Sequence, residues 1–189
     1  EQLKKLAVKY NCSFTFEVEH LEDRHIIDFK ENQLTILDAL PNQYDLNGVH
    51  LDTAFSEEVL NQLTITSPFF KRKERVTSFD DIPSLMRYVH EHRYDRGSEG
   101  LVVTDQNGFM FKIKYDYYRK LKALRGLKEE AAKQIRLSNN IPLSRARNAL
   151  QVNFLNWLKH QDSERILTGH IIDLFHDFEK ENGPQFIKK

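Results

Sequence analysis

Phe14, Phe16 and Val18 alternate with Thr15, Glu17 and Glu19, the period of a half-buried strand. Gln2 to Tyr10 ahead of them reads as helix. The polar run Glu22-Asp23-Arg24 predicts a turn into a second strand, Ile26 to Phe29, and Leu34 to Leu37 reads as a third. Pro41-Asn42-Gln43 and Leu46-Asn47-Gly48 are turn signals. Ser56-Glu57-Glu58 predicts a short helix through Leu63 with Ser56 as its N-cap. Ser78-Phe79-Asp80-Asp81 has the spacing of a capping box with Asp in place of Glu. It precedes Ile82, Leu85, Met86 and Val89, apolar positions at helical spacing.

Leu101 to Thr104 and Phe109 to Lys114 are strand-like runs around Asp105-Gln106-Asn107-Gly108, a composition suited to a tight hairpin turn. Further on, Ala131, Ala132, Ile135 and Leu137 mark a charged helix, which Asn139-Asn140-Ile141-Pro142 breaks. Leu150, Phe154, Trp157 and Leu158 recur at helical spacing, and Leu167, Ile171, Leu174, Phe175 and Phe178 repeat the stripe until Asn182-Gly183-Pro184 ends it. These stripes read as core. The expected fold class is α+β, with antiparallel hairpins first and a small all-α bundle last.

With 28 Lys/Arg against 28 Asp/Glu, the formal charge is balanced and points to no partner. Local bias remains. Between Phe109 and Arg125 there are six Lys/Arg residues and one acid, Asp116, with Tyr115, Tyr117 and Tyr118 interleaved. Such a mixture suits phosphate contact and base stacking by Arg119, Lys120, Lys122 and Arg125; it equally suits a helix that snorkels its lysines over a sheet. Lys71-Arg72-Lys73-Glu74-Arg75 after Pro68 reads as a solvated loop. The single cysteine, Cys12, excludes an intramolecular disulfide, fits a reducing compartment and reads as a small packed residue. No apolar run reaches membrane-spanning length and no signal peptide is visible, so cytoplasmic is the default. His90 and His92 lie on different faces of their helix and give no zinc spacing.

The hairpin carries the chemistry. Glu99 enters its first strand, and Lys112 and Lys114 sit two apart on the second, on one face. Lys-x-Lys on an edge strand commonly serves only to discourage edge pairing. One acid beside two parallel cations is also what a nucleoside triphosphate and its metal require: the acid holds Mg²⁺ and the lysines offset charge building on a phosphate oxygen.

Phe16-Glu17-Val18-Glu19-His20, with Asp23-Arg24-His25-Ile26-Ile27 behind it, resembles motif III of ATP-dependent RNA ligases of the bacteriophage RNA ligase 1 type. Glu99-Gly100-Leu101-Val102-Val103 resembles their motif IV, and Phe111-Lys112-Ile113-Lys114 their motif V. The resemblance covers roughly the first two thirds of the chain. It weakens through Asn42 to Asp95, and beyond Arg125 only a general helical character matches. It implies that residues 1–125 are the antiparallel sheet portion of a nucleotidyltransferase (adenylation) domain, an ATP-grasp-like ligase fold. Residues 126–189 would be a helical C-terminal domain, the appendage that phage-type RNA ligases carry in place of the OB-type β-barrel of DNA ligases and capping enzymes.

The implied activity is RNA repair: joining a 5′-phosphate to a 3′-hydroxyl through an enzyme-adenylate and an RNA-adenylate, with ATP and Mg²⁺ as cofactors and RNA ends, tRNA among the candidates, as partner. Carried over, Glu17 contacts the nucleotide ribose with Glu19 as its neighbour, Glu99 supports the metal, and Lys112 and Lys114 bind the α-phosphate. Arg24 and His25 are weaker candidates. The family's first step needs a lysine in Lys-x-Asp-Gly, and none occurs here, so the chain is expected to be the C-terminal part of a longer protein, inactive alone. Two other classes stay open: a non-catalytic RNA-binding module that retains the ligase scaffold, and a structural α+β fragment whose Glu and Lys residues are merely solvated. Which RNA is sealed and the oligomeric state are not legible.

Overall fold

The computed structural model describes residues 1–22, 25–27, 31–42, 53–63, 70–73 and 77–184, of which 53 and 54 by their backbone alone. The architecture is mixed α+β, with seven α-helices and five strands among the described residues. The chain divides into two compact units, Glu1–Ile82 with Val102–Lys112, and Pro83–Leu101 with Ile113–Lys189. No described helix is long and apolar enough to cross a membrane.

In the first unit, α1 (Gln2–Tyr10) ends at Asn11, whose left-handed conformation (φ 46°) turns the chain into β1 (Cys12–Glu19). Asn is among the few residues that enter this region at small cost. β2 (Gln33–Pro41) pairs antiparallel with β1 along its whole length, from Cys12 opposite Pro41 to Glu19 opposite Gln33. It takes the place beside β1 that the sequence pattern assigns to Ile26–Phe29. Ile26 is instead buried in a bend with Ile27, and Asp28 and Phe29 lie outside the described residues. The register shifts between Thr15 and Phe16, so that Phe14 faces Ala39 and Phe16 faces Ile36. Ile36 and Ala39 are three apart, an odd spacing that puts side chains on opposite faces of a regular strand. The bulge inserts one residue between them, and both enter the core. They meet Leu6, Cys12, Val59 and Leu60 there, with Phe14, Phe16, Phe55 and Phe70 packed around.

Two further sequence expectations fail in this unit. The helix α2 (Thr53–Asn61) begins a turn before Ser56, so Ser56 is not its cap. The buried Ser56 hydroxyl instead donates to Asp38 Oδ1 (2.9 Å) and accepts from the Ala39 amide (3.1 Å), which fastens α2 to β2. Phe70–Arg72 is a strand, β3, paired parallel to β2. Its cations have partners: Lys71 bonds Glu31 at 2.6 Å, Arg72 bonds Asn61 at 3.2 Å, and Lys73 holds both oxygens of Asp38 at 2.9 Å. A basic loop and a strand with satisfied basic heads have the same composition, and only the neighbouring acids separate them. The turn at Leu46-Asn47-Gly48 and residues Asp23, Arg24, Gln43, Pro68, Glu74 and Arg75 lie outside the described residues.

The second unit holds the end of the chain. α3 (Ile82–His92) starts four residues after Ser78, and of its expected stripe Leu85 is buried while Ile82 and Met86 are exposed. α4 (Asp116–Arg136) runs unbroken through residues 125 and 126, where the sequence reading places a domain boundary. Its apolar stripe Tyr117, Tyr118, Leu121, Leu124, Leu127, Ala131 and Ala132 is buried, at the spacing of one helix face. A 3₁₀ turn (Leu143–Arg145) and α5 (Ala149–Leu158) follow, with Asn148 capping α5 through the Gln151 amide. The stripe from Leu167 to Phe178 is two helices, α6 (Ser163–Thr168) and α7 (Ile171–Asn182). His170 separates them, its Nδ1 accepting from the Ile172 amide at 3.3 Å. Phe154, Trp157, Phe175 and Phe178 form the aromatic centre, with Phe178 edge-on to Phe154 at 5.4 Å.

Candidate functional site

β4 (Gly100–Thr104) and β5 (Met110–Lys114) form a two-stranded sheet. Asp105 builds the turn. Its amide donates to the Phe109 carbonyl (2.9 Å), and its Oδ1 accepts from the Asn107 and Phe109 amides, both at 2.8 Å. Gly108 closes the turn at φ 81°, which glycine adopts without steric cost. At the other end the Tyr115 amide donates to the Glu99 carbonyl at 3.0 Å. These bonds set Gly100 opposite Lys114 and Leu101 opposite Ile113. The tip, Val102–Lys112, belongs to the first unit and the base to the second.

Gly100 explains the Glu-Gly pair. Its φ is 142°, and a Cβ built there would meet the Ile113 carbonyl oxygen at 2.0 Å and the Lys114 Cα at 2.9 Å. The partner strand occupies the space of a side chain, so the residue after Glu99 has to be glycine for the strands to close and Glu99 to stand at the mouth of the pair.

The closure brings Glu99 to Lys114. The Lys114 ammonium bonds Glu99 Oε2, with the two side chains 34% and 47% exposed. The Tyr118 phenol feels the same carboxylate, and the Lys114 Nζ stands 4.7 Å from the centre of the Tyr118 ring. Burial, followed by the Glu99 charge, pushes the Tyr118 phenol above its usual range. Tyr118 was legible only as one of three tyrosines among cations. Its place one helical turn into α4, four residues beyond Lys114, is the signal that links it to the pair.

The other expected residues fall as follows. Lys112 is exposed on β5, at the last residue of the first unit's hairpin segment. Glu17 is exposed on β1, opposite Thr35. Burial pushes the carboxyl of its neighbour Glu19 up, Glu17 adds to the rise, and Lys71 opposes it. His25 is exposed, and Arg24 lies outside the described residues. Arg119 and Lys122 are exposed on α4, with Lys122 5.8 Å from the Tyr118 ring centre. Arg125 pairs with Glu129 at 2.8 Å. Lys120 stands 5.1 Å from the ring centre of Tyr94, and burial pulls its ammonium below its usual range. Tyr115, Tyr117 and Tyr118 are buried, so their rings pack the second unit and do not present faces for base stacking.

Among the described residues no three His, Cys, Asp or Glu side chains converge as metal ligands. A lone, half-exposed carboxylate such as Glu99 suits Mg²⁺, which keeps several waters and takes one or two protein oxygens alongside phosphate. Comparison with protein families and with curated proteins found no match.

Proposed function

We propose that this chain is part of an ATP-dependent RNA ligase that joins 5′-phosphate and 3′-hydroxyl RNA ends through enzyme-AMP and RNA-AMP intermediates. The observation that carries the reading is the Glu99–Lys114 pair across the hairpin base, made possible by a glycine whose Cβ position is filled by the partner strand. A carboxylate and an ammonium held in contact are poised to exchange partners. Glu99 would hold the divalent ion that neutralises the triphosphate, and Lys114 would supply its ammonium to the α-phosphate oxygens. The resemblance to the ligase motifs gives Lys112, two residues earlier on the same strand, the α-phosphate as well, and gives Glu17 the ribose. Arg119, Lys120, Lys122 and Arg125 carry the RNA backbone weakly, as point charges and guanidinium forks.

The nucleotidyltransferase fold, the RNA partner and a cytoplasmic location belong to the same proposal; its support is the order of the three motif-like segments and the single cysteine of the sequence. The nucleophilic lysine of the first step is not among these residues, so the chain alone is proposed not to adenylylate itself.

The test uses the protein expressed from the first codon of its gene. Transfer of labelled AMP from ATP should be abolished by Lys112→Ala and by Lys114→Ala, and by Glu99→Ala at limiting Mg²⁺. Undiminished transfer in either lysine variant would refute the assignment.

A further inference from the structure

Residues 131–161 contain no Asp or Glu, although the chain carries 28 acids in 189 residues and an even spread would place about four or five there. The same stretch holds Lys133, Arg136, Arg145, Arg147 and Lys159. The acids are gathered just beyond it: residues 162–182 hold Asp162, Glu164, Asp173, Asp177, Glu179 and Glu181 against Arg165 and Lys180. A balanced chain has therefore sorted its charge within one unit, and such an asymmetry of sign bears on the choice of partner.

The structure makes the basic side usable. Lys133, Arg136, Arg145 and Arg147 are all exposed, and none has an ion-pair partner among the described residues. Lys133 and Arg136 close the last turn of α4, where the helix dipole favours cations whatever the function. Arg145 and Arg147 have no such reason. They lie at the 3₁₀ turn and the approach to α5, on either side of the extended Ala146 (ψ 137°). Two residues of extended chain span about 7 Å, the order of the separation between successive phosphates on one strand. Along the same connection Ser138, Asn139, Asn140, Ser144 and Asn148 are exposed, a set of neutral donors and acceptors in a stretch without a carboxylate to repel a polyanion.

We infer that the connection from the end of α4 to the start of α5 is a contact surface for an RNA phosphate backbone, with Arg145 and Arg147 at its centre and Lys133 and Arg136 beside them. Guanidinium forks match phosphate oxygens in pairs, and the amides and hydroxyls suit sugar edges and the 2′-hydroxyl. RNA as the occupant rests on the ligase reading; the free, sorted cations do not.

The test measures anisotropy of a fluorescein-labelled stem-loop RNA bearing a 5′-phosphate, titrated with the full chain over a range of NaCl concentrations. Arg145→Gln with Arg147→Gln should weaken binding about tenfold and flatten the plot of log affinity against log salt by about 1.4 to 1.8, the counterions of two lost phosphate contacts. The control, Arg87→Gln with Lys180→Gln, removes the same charge from exposed positions of the same unit and should leave affinity and slope nearly unchanged. Equal losses in both pairs would overturn the surface as an effect of net charge. So would a wild-type chain that ignores the RNA, or one that binds only phosphatidylserine vesicles. Binding through Arg145 and Arg147 in a full-length protein that transfers no AMP would sink the ligase reading alone. AMP transfer with an unchanged RNA slope in the arginine pair would sink this surface alone.

Discussion

Arg96 Nη2 lies 3.2 Å from one carboxylate oxygen of Glu179 and 3.0 Å from the other, and its guanidinium stands 5.3 Å from the centre of the Tyr117 ring. Glu179 is buried near the end of α7, and Arg96 sits three residues before Glu99. With the Tyr117 amide donating to the Arg93 carbonyl at 3.0 Å, the loop that leads into the hairpin is tied to both α4 and α7.

That tie predicts a pH-dependent mutant. Burial pushes the Glu179 carboxyl above its ordinary value of 4.5, and Arg96 pulls it partly back. A carboxyl raised in the folded state binds its proton more tightly there than in the unfolded chain. Its contribution to stability is therefore complete below 4.5 and is lost as pH rises through the folded value. Arg96→Ala removes the opposing charge and raises the carboxyl further. At pH 7 the variant should lose about 1–2 kcal/mol, less than a fully buried pair because Arg96 is half-exposed. The deficit should shrink on acidification. Urea melts at pH 7 and pH 5 measure it, and an equal deficit at both would show that Arg96 does not act through Glu179.

Two glycines should respond in opposite senses to alanine. Gly100→Ala forces a Cβ into the Ile113 carbonyl at 2.0 Å from a left-handed φ, with backbone on both sides. It should cost more than about 3 kcal/mol and expose the β4–β5 amides to exchange. Gly126 lies within α4 with nothing within 4 Å of its Cβ position, so Gly126→Ala should stabilise by about 0.5–1 kcal/mol. Urea midpoints decide both, and a neutral Gly100→Ala would refute the close approach of the strands.

Ser56→Ala tests the junction between α2 and β2. The variant removes the acceptor of the Ala39 amide, which is buried, and a donor to Asp38, leaving Lys73 on the carboxylate. The loss should be about 1–3 kcal/mol, the cost of an unsatisfied buried group. Were Ser56 only a helix cap, Ser56→Asp would restore stability. With the hydroxyl facing Asp38, it should be worse than alanine.

Tyr118 reports on Glu99. Burial and then the Glu99 charge hold its phenol above 10.0. The raised value means stability present below 10.0 and lost as pH rises through the folded value. Glu99→Gln should lower the titration of Tyr118, followed by the ring carbon shift of labelled tyrosine. An unmoved titration would mean that the Tyr118 phenol does not feel Glu99.

The elements that periodicity defines were legible from residues alone. α1, β1, the β4–β5 hairpin, α5 and the end of the last helix at Gly183 follow from local spacing, turn chemistry and a glycine whose φ is 81°. These are short-range properties, carried by side chains within a turn or two of one another. Of the candidate site, the hairpin register was readable, because a known turn fixes which residues stand opposite and sets Gly100 against Lys114; that Glu99, diagonal to Lys114, reaches its ammonium was not.

The rest needed distant partners. That β2 rather than Ile26–Phe29 lies beside β1 depends on a bulge placing Ile36 and Ala39 in one core. That a basic run is a parallel strand depends on Glu31, Asn61 and Asp38 receiving its heads. That three tyrosines among cations are buried depends on the helices packed against α4. Local pattern sets which elements can form, since it acts through near neighbours. Which face is buried and which charge is satisfied are decided by residues tens of positions away, and only the folded chain brings those together.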